Sequence, residues 1–176
     1  MSAEFNLPGL EDAFQSLLEV VEYPLKHHAA FTHLNVEAPK GVLLYGPPGV
    51  GKTQLVLAIS KHCGARLTAI QGPSLHGGYL GDSERRLRTK FQEALNSDDD
   101  NDSGRPGILF IDEIDSLAPS RNTTNSGRLV AQLLTLMDGM DKRGKRLVVV
   151  GATNRPNALD AALRRPGRFD REISID

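Results

Sequence analysis

Apolar positions change their period along this chain. Leu10, Ala13, Phe14, Leu17, Leu18 and Val21 recur at helical spacing, which predicts an amphipathic helix over residues 10–22. Pro24 is expected to end it, because the residue before a proline is pushed out of the α region. A short helix is expected within 25–34, a stretch carrying His27, His28 and His33, which read as solvated or capping histidines. From Lys40 onward the pattern alternates. Short apolar runs predict strands at 41–45, 66–70, 108–111, 147–150 and 172–175, and the stretches between them predict helices at 53–62, 83–95 and 129–137. Such alternation argues for a parallel sheet with helices on both faces. Ligands of such sheets bind outside the carboxyl ends of the strands. The polar, acidic stretch 96–104 has nothing apolar to pack and reads as a solvated loop.

The first strand runs directly into Gly46-Pro47-Pro48-Gly49-Val50-Gly51-Lys52-Thr53, and a helix follows from Gln54. Strand, glycine loop and helix are the context in which this pattern cradles phosphate. The glycines let backbone N–H groups turn inward, and the helix N-terminus adds unsatisfied N–H groups and the positive end of its dipole. Residues 48–54 are therefore the expected nucleotide contacts: Pro48, Gly49, Val50, Gly51, Lys52, Thr53 and Gln54. Lys52 is expected to reach the β- and γ-phosphates, and Thr53 to bind a magnesium ion.

About sixty residues further on, Ile108-Leu-Phe-Ile111 delivers Asp112 and Glu113 to the same edge of the sheet. Asp112 is placed to hold the metal, commonly through water, and Glu113 to orient and polarise an attacking water as general base. The pair favours hydrolysis over transfer to a second small molecule. Asn154, after the next apolar strand, reads either as a hydrogen-bond partner of the γ-phosphate or attacking water, or as a turn asparagine before Pro156. The cluster around Arg164, Arg165 and Arg168 reads either as a set of phosphate ligands or as surface salt-bridge partners.

With 39% hydrophobic and 24% charged residues the composition is that of a globular domain, and a net charge of −1 gives no basic field for nucleic acid or membrane. No apolar run approaches the ~20 residues of a membrane span. The N-terminus lacks the charged and apolar regions of a signal peptide. The single Cys63 excludes an internal disulfide and fits a reducing compartment.

The chain resembles the ATPase core of the AAA family, in its valosin-containing-protein branch. The resemblance rests on the phosphate loop, Gly72-Pro73 with Gly81-Asp-Ser-Glu84, Phe110-Ile-Asp-Glu-Ile-Asp-Ser-Leu-Ala-Pro119, Gln132-Leu-Leu-Thr-Leu-Met-Asp-Gly139, Gly151-Ala-Thr-Asn-Arg-Pro-Asn-Ala-Leu-Asp160 and Leu163-Arg-Arg-Pro-Gly-Arg-Phe-Asp-Arg171. It covers residues from about Pro8 to Asp176. The segment 133–139 is most like the first of two tandem ATPase domains, and 162–170 leans toward the Afg/spermatogenesis-associated type. The resemblance implies a three-layer P-loop NTPase fold with a parallel five-stranded sheet, in the order 5-1-4-3-2 counting strands along the chain. Residues 1–39 would be a helical lead-in and 40–176 the α/β subdomain. It implies ATP and magnesium as ligands, Lys52, Thr53, Asp112 and Glu113 in the roles given above, and Asn154 as the sensor asparagine. Arg165 and Arg168 match the arginine fingers that reach the ATP of a neighbouring subunit. Tyr79 and Leu80, after Gly77 and Gly78, match the pore loop that grips an unfolded polypeptide; an ordinary exposed loop tyrosine is the plainer reading of Tyr79.

On this resemblance the expected function is ATP hydrolysis in a hexameric ring that unfolds or remodels polypeptides, with adaptor proteins, in the cytoplasm or nucleus, and no membrane or nucleic-acid partner. The sequence departs from the family in several places. Pro8 replaces one of two adjacent glycines near adenine, and Gln54 stands where an aliphatic residue is usual. The segment 122–130 is a few residues short, and 96–104 looks inserted. The helical lid that follows the last strand has no counterpart, as expected of a fragment of a longer protein. Two rivals remain: a nucleotide-binding module without turnover, and a small P-loop kinase, which Asp112-Glu113 and the two arginines disfavour. No guanine-recognition motif is found.

Overall fold

The computed structural model describes residues 8–34, 37–75, 81–95, 105–117, 124–140 and 146–176. Tyr79 and Leu80, and the acidic stretch 96–104, lie outside the described residues. In chain order the elements are α1 (Glu11–Lys26), α2 (His28–Leu34), β1 (Gly41–Tyr45), α3 (Lys52–His62), β2 (Arg66–Gln71), α4 (Asp82–Leu95), β3 (Gly107–Asp112), α5 (Ile114–Leu117), α6 (Thr124–Asp138), β4 (Leu147–Thr153) and β5 (Phe169–Ser174). Short 3₁₀ turns lie at Gly72–Leu75, Pro156–Ala158 and Ala161–Arg164. The five strands form one parallel sheet in the order β2-β3-β4-β1-β5, the expected order read from the other edge. Among the described residues no helix follows β5, and none is long and apolar enough to cross a membrane.

The alternation of side chains along each strand builds two separate cores. Val42 and Leu44 of β1, Ile108 and Phe110 of β3, and Val148 and Val150 of β4 face α1 and α3, against Leu17, Val21, Leu25, Leu55 and Ile59. Leu43, Leu109, Ile111 and Val149 face the other way, onto Leu87 and Phe91 of α4, Ile114 and Leu117 of α5, and Leu133 and Met137 of α6. The middle strands are thus apolar on both faces, as a doubly covered parallel sheet requires.

Four elements depart from the expected bounds. Strand β5, expected at 172–175, runs from Phe169 to Ser174. Helix α1 does not stop before Pro24 but continues to Lys26, with Pro24 in its last turn. Proline removes one N–H there, but Pro24 and Leu25 are both buried and the His27 N–H closes the turn on the Tyr23 carbonyl at 2.9 Å. Burial of a leucine is worth about 1.5–3 kcal/mol, enough to offset one missing bond near a helix end. Helix α6 begins at Thr124, well before its apolar face begins at Leu129. Strand β4 runs through Gly151-Ala-Thr153, because Gly151, Ala152 and Thr153 still pair with Leu43, Leu44 and Tyr45 of β1.

Candidate nucleotide site

The site lies where the strand order switches. β4 sits between β1 and β3, and its partners end in the phosphate loop and in Asp112 respectively. The loop leaves β1 at Gly46 and enters α3 at Lys52. Gly49 and Gly51 hold φ of 81° and 99°, a region that a side chain resists. The first α3 bond joins the Leu55 N–H to the Gly51 carbonyl at 2.9 Å. The N–H groups of Lys52, Thr53 and Gln54 therefore have no acceptor within the helix, which makes this end an anion site.

The Lys52 side chain folds back over the loop. Its ammonium donates to the carbonyls of Gly46 at 2.8 Å and Pro47 at 2.7 Å, and to Oδ1 of Asn154 at 2.8 Å. Lys52 is only 8% exposed. Burial pushes its pKa below the ordinary lysine value, and the Asp112 carboxylate works in the opposite direction. Among the described residues lining the cleft it is the only cation.

Thr53 Oγ1 and Asp112 Oδ2 are 3.5 Å apart, and the other Asp112 oxygen accepts the Glu113 N–H at 3.0 Å. Magnesium binds hard oxygen ligands and keeps several of its waters. One hydroxyl and one carboxylate on the wall of an open cleft suit such an ion. Glu113 follows with φ of 52°, left-handed although it is not glycine. Its carbonyl accepts from both the N–H and the hydroxyl of Ser116, at 2.9 and 2.8 Å. Together with Pro8 and Leu10 these residues enclose a cleft of about 450 Å³, lined by 48–54, Asp112, Glu113 and Asn154. Pro8 and Gln54, the two departures near the expected adenine position, both face it.

The two candidate arginines lie elsewhere. Gly41, the first residue of β1, pairs with Phe169 of β5, so Arg165 and Arg168 sit at the amino end of the sheet while the cleft lies at the carboxyl end. The length of β1 separates them, about 16 Å for five residues. Arg168 meets the Asp138 carboxylate at 3.3 Å and donates to the Ala162 carbonyl at 2.8 Å. Arg164 grips Glu172 with two bonds of 2.6 and 2.8 Å. Arg165 is exposed, and among the described residues it makes no side-chain hydrogen bond or ion pair.

Comparison with known proteins decides the family. The model of the ATPase family associated with various cellular activities (AAA) matches residues 42–176. The chain belongs to that family. It is 50% identical to Protein SAV of Sulfolobus acidocaldarius over 173 residues, covering 97% of this chain and 21% of the relative. It is 49% identical to the Cell division cycle protein 48 homolog of Archaeoglobus fulgidus, covering 97% and 22%. It is 50% identical to ATPase family gene 2 protein homolog B of Homo sapiens, covering 98% and 22%. The AAA chain thus spans about a fifth of the length of the curated relatives it matches.

Some features of this AAA site carry no local sequence signal. Leu10 seats the loop: a Cβ on Gly51 would come within 3.0 Å of its Cδ1. Gly72 lies under the Glu113 carbonyl, across a long-range contact. Asp115 and Thr153 meet at 2.6 Å although 38 residues separate them.

Proposed function

We propose that this domain binds ATP with magnesium in the cleft at the phosphate loop, and that in a ring it hydrolyses ATP to remodel polypeptides. The observation that carries the reading is the Lys52 ammonium, buried at the base of the cleft and ringed by Gly46 O, Pro47 O and Asn154 Oδ1. Those three oxygens occupy the acceptor positions around the ammonium that phosphate oxygens would take over. A strongly desolvated lysine with only neutral direct acceptors gains most from an arriving anion.

In this reading the free N–H groups of Lys52, Thr53 and Gln54 bind phosphate oxygens, and Lys52 turns from the loop carbonyls to the β- and γ-phosphates. Thr53 and Asp112 would hold magnesium, which would supply Lewis-acid neutralisation of the charge on the phosphate oxygens. Asn154, released by Lys52, is free to orient the γ-phosphate or the water. Glu113 takes a proton from water as the water oxygen bonds the γ-phosphorus. The bond from that phosphorus to the bridging oxygen breaks, the bridging oxygen keeps the electron pair, and ADP and free phosphate result. Arg165 and Arg168 would serve a neighbouring subunit, since their own cleft is a strand length away. An arginine supplied in trans is worth roughly 10³–10⁵ in rate. Tyr79 and Leu80 would grip the polypeptide, an aromatic face being tolerant of sequence.

The test is phosphate release by the full-length assembly and by the 176-residue chain. Both should bind ATP, and the assembly alone should release free phosphate at an appreciable rate. A phosphorylated acceptor in place of free phosphate would favour a kinase. Binding without turnover in the assembly would favour a nucleotide-binding module.

A further inference from the structure

Asn154 occupies an exposed turn after β4, yet the peptide on either side of it is tied down. A threonine hydroxyl has one proton to donate and lone pairs to accept. The Thr153 hydroxyl donates to Asp115 Oδ1 at 2.6 Å and accepts the Arg155 N–H at 2.9 Å. Asn154 is the residue spanned by that second bond. Thr153 is 1% exposed, so water does not compete for the hydroxyl. Asp115 is presented by α5, a single turn anchored by Ile114 and Leu117, both buried. Ile114 Cδ1 closes on Gly151 of β4, where an added Cβ would lie 3.0 Å away. The same turn holds the Glu113 carbonyl through Ser116.

We propose that Asp115 and Thr153 are positioning residues for Asn154, fixing its side chain against Lys52 and, in the reacting site, against the γ-phosphate or attacking water. Neither is among the described residues lining the cleft. The link joins the turn that carries Glu113 to the turn that carries Asn154, so one short helix registers both walls of the reacting centre. The inference rests on the reading of Asn154 given above.

Thr153→Val removes both bonds at nearly constant volume. In the full-length assembly it should lower kcat about 10–100-fold, the cost of a displaced polar group at the reacting centre, while KM for ATP stays within about threefold. Thr153→Ser keeps the hydroxyl and should restore kcat to within about threefold of the parent. Asp115→Ala should behave like Thr153→Val, and Asp115→Asn, which keeps an acceptor oxygen, should be rescued. The deciding measurement is a double-mutant cycle. Thr153→Val added to Asn154→Ala should cost no more than Asn154→Ala alone. Independent, multiplying losses would overturn the inference, as would a loss that Thr153→Ser fails to rescue. If Thr153→Val does not fold, the cycle of Asp115→Ala with Asn154→Ala answers the same question, since Asp115 is only partly buried. Full turnover in Asn154→Ala would remove the proposed role of Asn154 and this inference with it. Loss in Asn154→Ala, with turnover kept in Thr153→Val and Asp115→Ala, would overturn the inference alone.

Discussion

Gly72→Ala is a small substitution with a calculable effect on the Glu113 wall. Gly72 is buried at the start of the 3₁₀ turn after β2. A Cβ there would lie 2.2 Å from Ser116 Oγ, 2.4 Å from the Glu113 carbonyl oxygen and 3.2 Å from the Asp112 carbonyl oxygen. The serine hydroxyl can rotate away, but it then gives up its 2.8 Å bond to the Glu113 carbonyl. The carbonyl cannot rotate without moving the backbone, and ordinary contact requires it to retreat by about 1 Å in a close-packed interior. Overpacking of this kind costs about 1–3 kcal/mol. For a domain of this length each kcal/mol lowers Tm by about 2–4 °C, so a fall of roughly 2–12 °C is expected. The catalytic consequence is larger: a misplacement of about 1 Å at a reacting group costs on the order of 10²-fold in rate. ATP affinity should hardly change, because the contacts of Lys52 lie with Gly46, Pro47 and Asn154 and not with Gly72. Thermal unfolding and nucleotide titration of the domain, with phosphate release by the full-length assembly, read the three quantities separately. Turnover within about threefold of the parent, despite a lowered Tm, would refute the link between this contact and Glu113.

Lys52→Ala should weaken ATP binding roughly 10²–10⁴-fold, taking about 1.5–3 kcal/mol for each of two charge-assisted bonds to phosphate; near-normal affinity by calorimetry would sink the phosphate-loop assignment. Glu113→Gln should retain ATP and lose turnover by about 10²–10⁴-fold in the assembly, because the amide keeps the shape but takes no proton. Turnover close to the parent's would mean that another group is the base. Tyr79→Ala should leave ATP hydrolysis intact and abolish polypeptide unfolding, and equal loss of both would point to a tyrosine that supports the ring. Cys63, half-buried, has its thiol pushed up to about 11 by burial first and the Glu22 carboxylate second, against Lys26. Its thiolate fraction at pH 8 is then on the order of a hundredfold below that of an ordinary thiol. Alkylation in the folded chain should be slower than in urea by that factor, and equal rates would refute the burial argument. The raised value also fixes a sign: the unfolded thiol ionises first, so this group's contribution to stability falls as pH rises from the ordinary thiol range toward 11.

The strands were legible because each central one is a short apolar run, and the phosphate loop because its residue types and context are local. What the sequence hid was non-local. Gly151-Ala-Thr153 breaks the apolar run of β4 and looks like loop, yet hydrogen bonding to β1 carries the strand through it. The first turn of α6 contains Gly127 and offers no apolar stripe, so its helix is invisible to periodicity. Pro24 misled in the opposite direction: a local rule predicted a stop, and burial of Leu25 continued the helix. The clamp on Asn154 joins residues 115 and 153, and the constraint on Glu113 comes from Gly72. No window along the chain contains either pair.

The polarity of the sheet bears on why a lone subunit would be slow. Among the described residues the cleft presents one cation, Lys52, and two carboxylates, Asp112 and Glu113. A multiply charged nucleotide whose transition state spreads charge over the γ-phosphate oxygens needs more positive charge than one lysine and a metal supply. The arginines that could add it are at the amino ends of the strands, and parallel strands cannot bring their two ends together. The two arginines are not equivalent, however. Arg168 is engaged by Asp138 and by the Ala162 carbonyl, so reaching a neighbour's phosphate means giving up contacts that also brace the turn before β5. A partly exposed ion pair of that kind is worth only about 0–1 kcal/mol, a small barrier against a phosphate. Arg165 is exposed and, among the described residues, its side chain has no hydrogen bond or ion pair to give up. A ring that brought this edge to the next cleft would therefore find Arg165 ready and Arg168 released by the phosphate itself, which couples nucleotide contact in one subunit to the turn before β5 in its neighbour.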